Sequence, residues 1–201
     1  MDYAAIMKRL EELGYAVSFF AKKEEAADYL DAEIDATTVG FGGSVTLKEM
    51  GLYEKLSAHN EVVWHNVLPK GADTKPTRMK AIDTKVYLSS VNGMAETGEI
   101  INIDGTGNRV GAIFYGHEKV YLIVGKNKIA PDYDSALWRA RNIASPKNAQ
   151  RLGVKTPCAA KADRCYNCKS PQRICRGLAV LWENMMNADI EIILVDEELG
   201  Y

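Results

Sequence analysis

The chain's four cysteines, Cys158, Cys165, Cys168 and Cys175, all fall within one short stretch, spaced C-x6-C-x2-C-x6-C. Three arrangements could explain such a cluster: a metal site, a disulfide pair, or packed structural thiols. A reducing cytosol disfavours disulfides, and packed thiols have no need of a Cys-x-x-Cys, so the metal site is the preferred reading. A Cys-x-x-Cys turn sets two thiolates on one centre, and the flanking cysteines complete four ligands. Four thiolates around Zn²⁺ or a [4Fe–4S] cluster leave net negative charge. Lys161, Arg164, Lys169, Arg173 and Arg176 lie among the cysteines and can balance it. Structural zinc usually shows two Cys-x-x-Cys knuckles, and here there is one, which favours an iron–sulfur cluster. The spacing is not a ferredoxin spacing, so the choice between cluster and zinc stays open.

A second group of residues suits anion binding. Gly42-Gly43-Ser44-Val45-Thr46 joins an expected strand (residues 37–41) to an expected helix (46–50). Glycines permit close backbone approach, and a helix start offers free N–H groups to a phosphate or carboxylate. Ser44 and Thr46 add hydroxyls, although both are also ordinary helix caps. Residues 92–98 form a similar polar loop after the strand expected at 85–90, with Asn92, Glu96, Thr97 and Gly98. Glu96 and Glu49 are the candidate acids or bases. If strands 37–41 and 85–90 are neighbours, the two loops face one pocket. Lys126 and Lys128 follow another strand and could meet an anion, with Lys126 the candidate and solvated lysines the default. His59, His65 and His117 show no ligand spacing. The turn 104–108 reads as a hairpin turn.

These residues must be positioned by a chain of 201 residues with 47% hydrophobic and 26% charged content, ordinary for one globular domain. The net charge of −2 suggests no nucleic-acid partner. No apolar run approaches the roughly 20 residues of a membrane span. The first residues lack a basic segment followed by an apolar one, so a cytoplasmic protein is expected. Charge is nonetheless uneven. Residues 139–176 hold ten basic side chains and one acid, Asp163, while residues 177–201 hold six acids and no base.

Helices are expected at 2–13, 22–32, 46–50, 53–58, 78–84 and 131–144, with another opening at Ser145-Pro146 and stopping at Gly153. Strands are expected at 15–20, 37–41, 61–65, 85–90, 99–103, 109–115 and 119–124, and 178–183 with 190–195 as a terminal hairpin. The alternation predicts a layered α/β fold with a mixed sheet.

Five strings resemble the LUD-domain family, the group that includes lactate-utilisation protein C: GFGGSVTLKEMGL (40–52), NGMAETGEIINIDGTGNRVGA (92–112), VYLIVGKNKI (120–129), SPQRICR (170–176) and ILVDEELGY (193–201). The resemblance runs from about residue 4 to the C-terminus. It implies one LUD domain over 1–201, carrying a basic cysteine segment at 154–176. It also implies a three-layer α/β fold like ribose-5-phosphate isomerase, the CoA transferases and 5-formyltetrahydrofolate cyclo-ligase, relatives whose glycine loops cradle polyanions. Lactate-utilisation protein C is implicated in L-lactate oxidation with two iron–sulfur partner proteins. The cysteine cluster points to a shorter branch of the family. The leading expectation is therefore an accessory redox protein of organic-acid metabolism, binding a small anionic metabolite or cofactor and carrying a cysteine-ligated metal centre. The alternatives are an isomerase, transferase or ligase with a structural metal, or a scaffold that docks a partner through the cysteine segment.

Overall fold

Residues 190–195 are buried at every position, and residues 120–125 likewise. A run with no exposed alternate position belongs in the middle of a parallel sheet, covered on both faces. The computed structural model, which describes all 201 residues, places them there. In chain order the strands are β1 (Ala16–Phe20), β2 (Thr38–Phe41), β3 (Glu61–Trp64), β4 (Val86–Ser90), β5 (Gly93–Ala95), β6 (Ile100–Asp104), β7 (Lys119–Gly125), β8 (Ile129–Ala130), β9 (Gly177–Leu181) and β10 (Ile190–Val195). Six form the main sheet in the order β1-β10-β7-β4-β2-β3, every pair parallel. The other four form a smaller mixed sheet, β8-β5-β6-β9. The expected mixed character is thus confined to a second sheet.

The helices are α1 (Tyr3–Glu12), α2 (Lys23–Glu33), α3 (Val45–Glu49), α4 (Leu52–Leu56), α5 (Lys75–Ile82), α6 (Asn108–Phe114), α7 (Tyr133–Arg139), α8 (Ser145–Arg151) and α9 (Pro157–Lys161). A π-helical turn, Ala140–Ala144, joins α7 to α8, and the Ser145 hydroxyl donates to the Ala140 carbonyl at 2.9 Å. Two-residue periodicity sorts the main sheet between two cores. Val120, Leu122 and Val124 pack with Ile6 and Leu10 of α1, Ile113 of α6, and Met94, Ile100 and Leu181 of the small sheet. Tyr121 and Ile123 face the other way, onto Leu30 of α2 and Leu47, Leu52 and Leu56 of α3 and α4. A third cluster seats Ala136 and Ala140 on Ala95, Ile101 and Ala130.

Two sequence expectations are corrected. Residues 178–183 and 190–195 are not a hairpin: β9 pairs antiparallel with β6 in the small sheet, whereas β10 lies between β1 and β7. The half-exposed pattern of β9 suits a sheet edge, and the fully buried one of β10 suits a sheet centre. Residues 109–115 are helix α6, not a strand, and 104–108 is not a hairpin turn. The Asp104 carboxylate accepts from the N–H groups of Gly105, Thr106, Arg109 and Val110, and Gly107 takes the left-handed φ of +82° that starts the helix. The aspartate satisfies the donors a helix start leaves open.

Candidate active site: a basic cleft at the strand ends

Because the main sheet is wholly parallel, all its carboxyl ends open on one edge, where ligands bind in such sheets. Pairing of Val39 with Val86 and Phe41 with Leu88 makes β2 and β4 neighbours. Their loops, with those following β3 and β7, surround a cleft of about 390 Å³.

Lys128 lies at its floor. The chain leaving β7 makes a single tight turn, Lys126–Lys128, which sends the two lysines apart. Lys126 points outward and pairs with Asp196 at 3.5 Å. Lys128 is 3% exposed and donates to Thr46 Oγ1 at 2.7 Å and Ser90 Oγ at 2.6 Å. Both hydroxyls spend their own hydrogens elsewhere, Thr46 on the Leu199 carbonyl and Ser90 on that of Ile123. They can therefore only accept from the lysine. Burial brings the Lys128 ammonium down to about 7; Arg139 and Arg109 push the same way and Glu49 opposes them. The amine is poised near neutrality. Charged, it keeps a third N–H beyond these two bonds; neutral, it keeps its lone pair.

The walls are strongly basic. Arg78, Arg109 and Arg151 line the cleft, and the one acid among the lining residues is Asp104. Burial raises the Asp104 carboxyl, but the Arg109 guanidinium and the surrounding N–H groups outweigh it and hold it below the usual range. Arg109 Nη2 also donates to Asn92 Oδ1 at 2.9 Å and the Ile103 carbonyl at 2.7 Å. Arg139 donates to the Asn92 carbonyl at 2.7 Å, so two guanidiniums fix Asn92. Burial lowers the His65 imidazole to about 4, with Arg78 and Arg151 adding to the effect. His65 Nδ1 and Arg78 Nε are buried without a protein partner. Unsatisfied buried groups require an explanation, and a bound anion would supply one for Arg78.

Among the residues singled out from sequence, Gly43, Ser44, Thr46 and Asn92 line this cleft. Gly42 sits just behind: a β-carbon there would lie 2.9 Å from Ser89 Oγ, and its carbonyl accepts from Trp64 Nε1 at 3.0 Å. Ser44 caps α3 through the Leu47 N–H. That helix has five residues, too few to act as a dipole site. Glu49 turns to the C-terminal segment and accepts from the Gly200 N–H at 2.7 Å, which sets Tyr201 into the cleft wall. Glu96, Thr97 and Gly98 lie outside the cleft. Strand β5 carries the chain away from Asn92 by about 3.3 Å per residue, and the Thr97 carbonyl accepts from Arg9 of α1 at 3.0 Å. Residues 92–98 as a whole therefore do not face the Gly42–Thr46 loop; only Asn92 does. Sequence reasoning raised Lys128 beside Lys126 but took Lys126 as the candidate, and it did not select Arg109, Arg78 or His65. For His65 and Lys128 the signal available was position, in the turn directly after the end of a strand; Arg78 and Arg109 lie inside the helices that follow β3 and β6 and carry no such signal.

The four cysteines are all free and line a second, small cavity. Cys165 Sγ accepts from Arg141 Nη2 at 3.7 Å and the Asn167 N–H at 3.4 Å, and Cys175 Sγ from Arg173 Nη2 at 3.5 Å. No three His, Cys, Asp or Glu side chains form a ready-made single-ion site. Ser145 and Ile174 line both this cavity and the cleft.

A wholly parallel main sheet with helices packed on both faces and a basic cleft at its carboxyl edge defines an α/β domain. The LUD domain model matches residues 3–195, and the chain belongs to that family. A crystal structure of a DUF162 family protein from Deinococcus radiodurans is similar at a TM-score of 0.54 and 13% identity, covering 96% of this chain and 95% of that one, a likeness of fold. Ribose 5-phosphate isomerase from Plasmodium falciparum gives a TM-score of 0.35 and 16% identity over 54% of this chain and 52% of that one. No curated protein matches. No helix is long and apolar enough to cross a membrane.

Proposed function

We propose that this chain binds a small organic anion, a carboxylate or phosphate ester, in the basic cleft, and that Lys128 gives or takes a proton beside it. The observation that carries this is the buried lysine whose two partners are both acceptors, set among Arg78, Arg109 and Arg151. An anion entering such a cleft is attracted without having to displace a carboxylate, because Asp104 is already held by four backbone N–H groups and offset by the charge of Arg109. A base or acid works best with a pKa near the working pH, and Lys128 meets that condition. The resemblance to the lactate-utilisation group favours a short hydroxy or oxo acid, with the chain acting in organic-acid oxidation beside iron–sulfur partner proteins.

Calorimetric titration with L-lactate, pyruvate, phosphosugars and CoA thioesters tests this. One of these classes is expected to bind at one site per chain, and Lys128→Met should weaken it at least tenfold. Absence of binding by all four, or a ligand indifferent to Lys128→Met, overturns the reading.

A further inference from the structure

Twenty consecutive residues, 157–176, contain not one buried side chain. Their only regular element is the five-residue α9, capped by Thr156. Two of the chain's three non-glycine residues with left-handed φ fall here, Ala162 at +53° and Asn167 at +47°. A segment that buries so little apolar surface gains little from the hydrophobic effect to offset the entropy of ordering it. Yet it folds back so that every cysteine in the chain borders one cavity.

Two of the four sulfurs, Cys165 and Cys175, receive N–H donors from basic or backbone groups. Arg141 and Arg173 each direct a guanidinium N–H at a sulfur, and Asn167, inside the Cys-x-x-Cys, adds a backbone N–H. Arg173 also donates to the Cys168 and Cys175 carbonyls at 3.0 and 2.9 Å, bracing the loop between these cysteines. Anionic sulfurs need such partners, and N–H donors to sulfur tune metal thiolates. We infer that Cys158, Cys165, Cys168 and Cys175 hold one thiolate-ligated metal centre, zinc or an iron–sulfur cluster, packed directly behind the wall of the anion cleft. Metal binding supplies the ordering energy that the segment lacks, as it does in other small metal-folded units. The four thiols border one space. Ser145 and Ile174 separate that centre from the cleft.

The test is anaerobic purification of the full chain with metal, sulfide and thiol analysis and an absorption spectrum. One arm gives about four iron and four sulfide per chain with a broad visible band, the other about one zinc and no band. Either supports the centre if Cys168→Ser and Cys175→Ser each lose it. Far-UV circular dichroism of these variants, unchanged in the main-sheet signal, shows that the loss is not global unfolding. In the parent protein, a chelator that strips the metal should expose residues 157–176 to protease. The inference is overturned if the chain stays metal-free after purification and after reconstitution with ferrous iron and sulfide or with zinc. It is equally overturned if metal survives both serine substitutions. Metal content is read without any ligand in the cleft, so failure of the anion-binding reading leaves this result untouched.

Discussion

A β-carbon on Gly105 would lie 2.7 Å from the carbonyl oxygen of Ile174. The contact is with backbone, which cannot swing aside as a side chain does. Gly105 is where the cysteine segment rests on the cleft wall, and the adjacent Arg176 N–H donates to the Asp104 carbonyl at 2.9 Å. Gly105→Ala should therefore lift the segment and cost about 1–3 kcal/mol, as overpacking does. Urea unfolding and limited proteolysis read this directly: lower stability and faster cleavage within 157–176 are expected. An unchanged profile in both would mean that the segment is not held at this point.

The anion affinity should depend on pH through Lys128. In the empty cleft its pKa is about 7, and a bound anion favours the charged form and raises it. Affinity should be level below pH 7. Above 7 it should fall by up to tenfold per pH unit until the pKa of the bound state is passed, with proton uptake on binding. The stability linkage has the opposite sense. The folded pKa lies below the ordinary lysine value of 10.5, so the unfolded chain binds the proton more tightly. The contribution of Lys128 to stability is most favourable above pH 10.5, declines as pH falls toward 7 and is level below that. Lys128→Met should flatten both profiles. Titrations in buffers of different ionisation enthalpy and urea melts at pH 7 and 9 provide the comparison.

How much of this could be read beforehand varies with the kind of information each residue carries. That β2 and β4 are neighbours is legible because each runs into a glycine-bearing polar loop at its carboxyl end, a local pattern. Lys126 and Lys128 are indistinguishable in sequence, being two lysines on one turn; only the turn's direction sends one to Asp196 and the other to Thr46. Asp104 belongs to an Asp-Gly-Thr-Gly string that fits a hairpin as well as a helix start, and the four N–H groups it collects are visible only once the chain has folded. Glu96 was a reasonable carboxylate in a loop, but the length of β5 decides its position, and β5 exists by pairing with β6 and β8. The gathering of the cysteines is legible as a cluster, since residues so close in sequence need little tertiary structure to border one cavity.

Gly43 and Glu96 now separate sharply. A β-carbon at Gly43 would lie 3.3 Å from His65 Nε2, 3.5 Å from His65 Cε1 and 4.0 Å from Asn66 Oδ1, all side-chain atoms. Gly43→Val should be tolerated by the fold, within about 1 kcal/mol. Its branched side chain occupies cleft volume, so anion affinity should drop at least tenfold. Glu96→Gln lies outside the cleft and should leave both binding and stability unchanged. Parallel calorimetry and thermal melts of the two variants check this; a loss of affinity in Glu96→Gln alone would place the ligand elsewhere.

The loop that shapes the cleft should also show an acid-side signature from Asp104. Its folded pKa lies below the ordinary value of 3.8, so the folded state favours the carboxylate. The resulting stability is fully present above pH 3.8 and is lost as pH falls through the folded pKa. Asp104→Asn removes this dependence and sets an amide NH₂ against two of the four N–H groups that the carboxylate now accepts from. One Asp104 oxygen takes Gly105 and Thr106, and the other takes Arg109 and Val110. Leaving one such pair unsatisfied costs about 1–3 kcal/mol, and the start of α6 loses its anchor. The expected result is a variant less stable at pH 7, with faster amide exchange at residues 108–111 and a shallower loss of stability between pH 4 and 2. Parent-like exchange at those amides would show that Gly107 alone sets the helix start, and that Asp104 serves only to offset the charge of Arg109.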